Sequence, residues 1–179
     1  MGIFDSLFGN KSNQTDNQQN VDYIRINLLA KLGEEKLGEE KYSEAINYIH
    51  EFFDLLNRNS FPDLHHLIQP CYFNLALAYS NNQDYPNAIT YWTKFINSDN
   101  SNFDAYHERL KAYFELNKLS EAIQDIDNSL RLKPNRADLY INKGIAFIKL
   151  GNKVEAKKAL TKAKELGNSD AQDFINKYC

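Results

Sequence analysis

SEAINYI at residues 43–49, PNAITYW at 86–92, SEAIQDI at 120–126 and VEAKKAL at 154–160 align with Ala45, Ala88, Ala122 and Ala156 in one column. The last three alanines are spaced by 34 residues (88, 122, 156). The same register stacks Gly33, Ala76, Leu110 and Gly144; Tyr72, Tyr106 and Tyr140; Tyr79, Tyr113 and Phe147; and Trp92, Ile126 and Leu160. A small residue lets two antiparallel helices approach, the aromatics beside it fill the adjoining volume, and each helical pair keeps an apolar face that only a neighbour can cover.

Working outward, apolar residues recur at three- and four-residue spacing from Tyr23 onward, and no long alternating stretch suggests a strand. Asn-rich clusters such as Asn97–Asn100, Lys133-Pro134-Asn135 and Gly167-Asn168-Ser169 cut the body into helical segments of about a dozen residues. Ala45 and Ala88 lie 43 residues apart, so the first unit carries nine residues beyond the period. These fall within Arg58–Ile68, lengthening a helix or forming a loop. Residues 10–20, NKSNQTDNQQN, hold no apolar side chain and read as a flexible tether. The resulting division is a flexible segment over 1–20, a repeat body over 21–168 and a helix over 169–179. That last helix aligns Phe174, Ile175 and Tyr178 on a face suited to capping the stack.

A 34-residue helix–turn–helix unit with these columns resembles the tetratricopeptide repeat family over about residues 26–168, most closely over 69–168. The resemblance implies an all-α, right-handed α–α solenoid of about four hairpins with a C-terminal capping helix. Arg109 and Lys143 stand where the family prefers leucine, and Asn100 and Asn168 where it prefers proline. They read as ordinary degeneracy.

Composition narrows the function. The chain has 179 residues, 42% of them hydrophobic, enough for a sizeable core, and a net charge of −3 that gives no general attraction to nucleic acid. Residues 1–100 hold 13 acids and 7 bases, and residues 101–179 hold 11 acids and 14 bases. The C-terminal excess, Lys149, Lys153, Lys157, Lys158, Lys162 and Lys164, alternates with Glu155 and Glu165 and reads as a solvated helix face. No nucleophile–base pair, metal-ligand spacing or phosphate loop is present, so the expectation is a protein without enzymatic activity, metal or cofactor. His65 and His66 are adjacent and diverge on a helix, His50 reads as a surface residue, and Cys71 as a small apolar side chain. The absence of an apolar run of membrane-spanning length and of a signal peptide points to the cytoplasm.

In proteins of the family that this chain resembles, the inner wall is lined by the first helix of each unit. The resemblance therefore places Asn27, Ala30, Lys31 and Glu34, then Phe73, Asn74, Leu77 and Asn81, then Asp104, His107, Glu108 and Lys111, then Asp138, Ile141, Asn142 and Ile145 on that wall. Asn74 and Asn142 offer amides to an extended backbone. A carboxylate-capturing wall, as in some co-chaperone members, would need basic residues where this chain has Ala30, Glu34, Asp104 and Glu108. The expected partner is a protein or peptide, specifically an apolar-and-basic segment. Ile3, Phe4, Leu7 and Phe8 form an N-terminal apolar stripe, which makes homo-oligomeric self-assembly through that segment the alternative. Gly2 and Ser6 also satisfy a short myristoylation-like pattern, but a nucleic-acid or membrane partner is not the expectation.

Overall fold

The computed structural model describes the backbone of residues 10–179 and side chains from residue 17 onward. Ile3, Phe4, Leu7 and Phe8 lie outside the described residues. Among those described, the elements are α1 (Asn10–Gly38), α2 (Tyr42–Arg58), a 3-10 helix (Pro62–Leu67), α3 (Ile68–Asn81), α4 (Tyr85–Ser98), α5 (Phe103–Glu115), α6 (Leu119–Leu132), α7 (Ala137–Lys149), α8 (Lys153–Glu165) and α9 (Ala171–Tyr178). This is the all-α helical-hairpin architecture of a solenoid. It divides into two compact units, Met1–Asn82 and Gln83–Cys179.

In the first unit α1 pairs with α2, and α3 packs on both. At Gly33 α1 and α2 lie close together: a Cβ there would run into the Ile49 side chain. The extra length of this unit includes a six-residue 3-10 helix, Pro62–Leu67, pinned by Leu64, which is 2% exposed. Tyr23 meets Phe61 edge-on at 5.6 Å, and Asn59 donates to Leu55 O at 3.0 Å, closing the end of α2. Residues 10–20, expected to be a tether, are helical here, since α1 begins at Asn10. Once the packed part of a helix is nucleated, each further turn needs only its own hydrogen bonds. Gln18 adds an i,i+4 bond to Asp22 at 2.9 Å.

In the second unit each helix from α4 to α9 packs against the next. Phe103, Leu110, Ile126 and Leu139 form one buried cluster, with Phe114 and Leu130 against it. Ala88, Ala122 and Ala156 are fully buried, as is Ala45 in the first unit, so the small-residue column sits in the core throughout. Leu160 faces Gly144, where a Cβ would lie 2.6 Å from the leucine Cγ. The α9 helix packs on α8 with Ala171 buried and Phe174 and Ile175 half-buried.

The Asn-rich punctuation has a concrete role. Asn102 caps α5 through Ala105 N at 3.0 Å, Asn152 caps α8 through Glu155 N at 3.2 Å, and Asn168 accepts from Ala171 N at 3.0 Å. A further column escaped the sequence reading. Gln83, Asn117 and Gly151 all have positive φ (60°, 54° and 75°) at the turn before α4, α6 and α8. The tight turn needs a left-handed residue at one place per repeat, and only in the last is it glycine.

Candidate peptide-binding wall

The proposed wall residues occupy the two units separately. On α3, Phe73, Asn74 and Leu77 are all half-buried. On α5, Asp104 and Lys111 are exposed while His107 and Glu108 are half-buried; on α7, Asp138, Ile141, Asn142 and Ile145 are half-buried. Both α5 and α7 pack on α6, which positions their outer faces in one unit. Half-burial is the expected state of side chains that rest on a core and keep one flank open.

Local pairing changes the wall's charge. Lys111 donates to Glu108 at 2.6 Å, and Arg136 grips Asp138 with two hydrogen bonds, Nε at 2.9 Å and Nη2 at 2.7 Å. The Arg136 bonds hold the Asp138 carboxyl below the usual carboxylate range, and the same bonds raise Arg136. Glu108 and Asp138 are therefore already partnered within the chain. Asp104 is left to project a negative charge from this face, and its field reaches Arg136. At the N-terminal end of α5, Phe103 is 7% exposed: besides its place in the apolar cluster, two cations lie over its ring, Lys133 Nζ 3.9 Å and Arg136 Cζ 5.1 Å from the centroid. His107 stacks on the same ring at 5.9 Å.

Behind this wall lies an arrangement that corrects the reading of Arg109 as degeneracy. Arg109 donates Nε to Asp125 Oδ2 at 2.8 Å, Nη2 to Asp125 Oδ1 at 2.7 Å and Nη1 to Thr93 Oγ1 at 2.8 Å, tying α5 to α6 and α4. The Asp125 residue is 1% exposed. Burial alone would lower the Arg109 pKa, but the Asp125 carboxylate overrides it and raises the pKa. The signal that could have found this pair is its spacing: 93, 109 and 125 are separated by 16 residues each, as are Gly33 and Ile49, and Gly144 and Leu160.

His50 is likewise not a simple surface residue. Its Nε2 lies 2.8 Å from the Tyr79 hydroxyl in a half-buried contact. His65 and His66 are exposed, and no group of three potential metal ligands occurs among the described residues. Cys71 is buried and its thiol is pushed up to about 12, first by burial, so it is a poor nucleophile; Cys179 is exposed. The C-terminal lysines are partly neutralised, Lys158 by Glu155 at 2.6 Å and Lys162 by Glu165 at 3.0 Å. No helix among the described residues is long and apolar enough to cross a membrane.

Comparison with known proteins places this geometry. Profiles described as TPR repeat or tetratricopeptide repeat match residues 71–99, 111–151 and 137–169. The chain is 30% identical over 95 residues to human DnaJ homolog subfamily C member 7, covering 53% of this chain and 19% of that protein. It is 34% identical over 89 residues to heat shock protein STI1 of Saccharomyces cerevisiae, 49% and 15% respectively. It thus spans less than a fifth of the length of these curated relatives. Among solved structures, MamA from Desulfovibrio magneticus shares the fold with a TM-score of 0.66 at 16% identity, covering 84% of this chain and 81% of that one. The first TPR of Spaghetti (RPAP3), bound to the HSP90 peptide SRMEEVD, gives a TM-score of 0.54 at 27% identity, covering 62% and 89%. The 34-residue period, the buried alanine column and these matches together make the chain a member of the tetratricopeptide repeat family.

Proposed function

We propose that this protein is a non-enzymatic adaptor that binds a protein or peptide segment along the face of α5 and α7, with α3 offering a separate stretch in the other unit. The observation that carries this reading is that Ile141, Asn142 and Ile145 on α7 are all half-buried, each keeping part of its surface open. Apolar side chains that a partner can finish burying supply affinity, while the amide can pair with an extended backbone. Phe73, Asn74 and Leu77 on α3 are the corresponding stretch of the first unit. RPAP3 supports the general mode, since its structure holds a peptide. That peptide, SRMEEVD, is acidic. Here Asp104 projects a negative charge, so the guest we assign is apolar and basic, with charge steering the approach rather than holding the complex.

Selection from a random peptide library on the full-length chain tests the reading. The expected consensus combines large apolar residues with Lys or Arg. Ile141→Asp and Ile145→Asp should each weaken the selected peptide at least about tenfold. Asp104→Lys should chiefly slow association and flatten its salt dependence. Selected peptides that bind the Ile141 and Ile145 variants as well as the parent would remove α7 from the site. A consensus rich in acidic residues would reverse the assigned guest.

A further inference from the structure

Val21, Ile24 and Leu28 of α1 are 56%, 67% and 51% exposed, and their i, i+3, i+7 spacing puts them on one stripe. The stripe lies opposite the buried Ile26, Leu29 and Gly33, and continues through Asn17 on one side and Lys31 and Glu35 on the other. An apolar stripe framed by polar residues on a solvent-facing helix marks an interaction surface.

A second feature points to the same face. Gly33 packs against Ile49, so the antiparallel register sets Arg58, the last residue of α2, opposite Ile24. Residues 10–20 of α1 therefore run on past α2, and residues 17–20 are exposed. A short polar helix without packing is marginal in water. Something lying along α1 would support the overhang and cover the stripe together.

We propose that this occupant is a second copy of the chain, with the two α1 helices antiparallel about a two-fold axis. In that register Ile24 meets the partner's Leu28, Val21 meets the partner's Lys31, and Asn17 meets the partner's Glu35. Six apolar side chains then occupy the middle and polar groups the ends. Charge selects the direction: a parallel pair would stack Lys31 on Lys31 and Glu35 on Glu35, whereas the antiparallel pair separates both and offers the Asn17 amide to a carboxylate. Arg25, beside the axis, is paired with Glu51 of its own chain at the surface. Each overhang lies along the other copy's Lys31–Gly38 stretch. The overlap of about 25 residues is about 37 Å long. The contact sits at the lower end of specific interfaces, roughly 1,200–2,000 Å², which makes the dimer dependent on concentration. The two-fold pairing is self-complementary and closed, so it ends at two copies.

Sedimentation velocity of the full chain over a range of concentrations tests this, with helicity followed by circular dichroism. The parent should shift from monomer to dimer. Ile24→Asp should weaken dimerisation at least about tenfold, with helicity falling by no more than the residue 10–20 overhang that the partner supports, because the side chain itself is exposed and not part of the core. Deletion of residues 1–9 should leave the dimer intact. In a Cys179→Ser background, Val21→Cys with Lys31→Cys should oxidise to a covalent dimer, whereas Val21→Cys alone should not. The two positions are ten residues apart on one helix, about 15 Å, too far to close within one chain. A parent that stays monomeric, a dimer indifferent to Ile24→Asp, or rapid cross-linking of Val21→Cys alone would each overturn the proposal. Loss of the dimer on deleting residues 1–9 would do so too, by handing the contact to the N-terminal apolar segment.

Discussion

Arg109 on α5 and Lys143 on α7 stand one 34-residue repeat apart in the same column, yet they use opposite neighbours. Each has one potential partner 16 residues ahead and another 16 behind. Ahead of Arg109 is Asp125, which takes its guanidinium bidentately, and behind it is Thr93. Ahead of Lys143 is Ala159, which offers nothing, so its ammonium turns back to Asp127 on α6 at 2.5 Å. The first pair is 12% and 2% exposed at its side chains, the second 23% and 51%. One repeat position can therefore carry either a buried clamp within a hairpin or a solvated link to the preceding helix. The choice depends on which sixteenth neighbour carries a carboxylate.

The sharpest way to break this comparison is to remove each acid in turn. Asp125→Ala strands a buried guanidinium and should cost about 3–5 kcal/mol. The urea midpoint should fall far more than for Asp127→Ala. Replacing both partners, Arg109→Leu with Asp125→Ala, should recover most of that loss or exceed the parent, since apolar packing escapes the desolvation cost. Equal losses from Asp125→Ala and Asp127→Ala would show that burial does not separate the two pairs.

A second test copies the third hairpin's packing into the fourth. Leu110 and Gly144 share a column, but a Cβ at Gly144 would meet Leu160 at 2.6 Å. Gly144→Leu should therefore cost roughly 1–3 kcal/mol through overpacking. A midpoint unchanged by this substitution would mean that α7 and α8 have room to separate.

Smaller effects belong to the turns. Gly151→Ala should destabilise by about 1 kcal/mol, because its φ of 75° is strained for any residue with a Cβ. Asn117→Gly, at the matching turn one repeat earlier, should change the midpoint little or raise it slightly, since asparagine already tolerates that region. The smallest expected change is Lys143→Ala, about 0–1 kcal/mol and diminishing with added salt. A large salt-independent loss there would place Lys143 with Arg109 after all.

What the sequence by itself determined is what repeats. The alanine column at 45, 88, 122 and 156 and its large neighbours carry the helix pairing, because burial of periodic apolar faces is a local signal summed over many residues. The wall positions proposed on α3, α5 and α7, Ile141, Asn142 and Ile145 among them, rest on the family resemblance that this register carries. Part of their electrostatic state is local as well: Glu108 pairs with Lys111 three residues on along α5, and Asp138 with Arg136 two residues before it. Tertiary structure, by contrast, seated a six-residue 3-10 helix within the extra length through Leu64, gave His50 the Tyr79 hydroxyl, and set Arg109 against Asp125. The physical reason is common to all of these. Helical periodicity is encoded within each segment, whereas the partner of a single polar group depends on which side chains neighbouring helices bring within about 3 Å of it, and one substitution sixteen residues away redirects it.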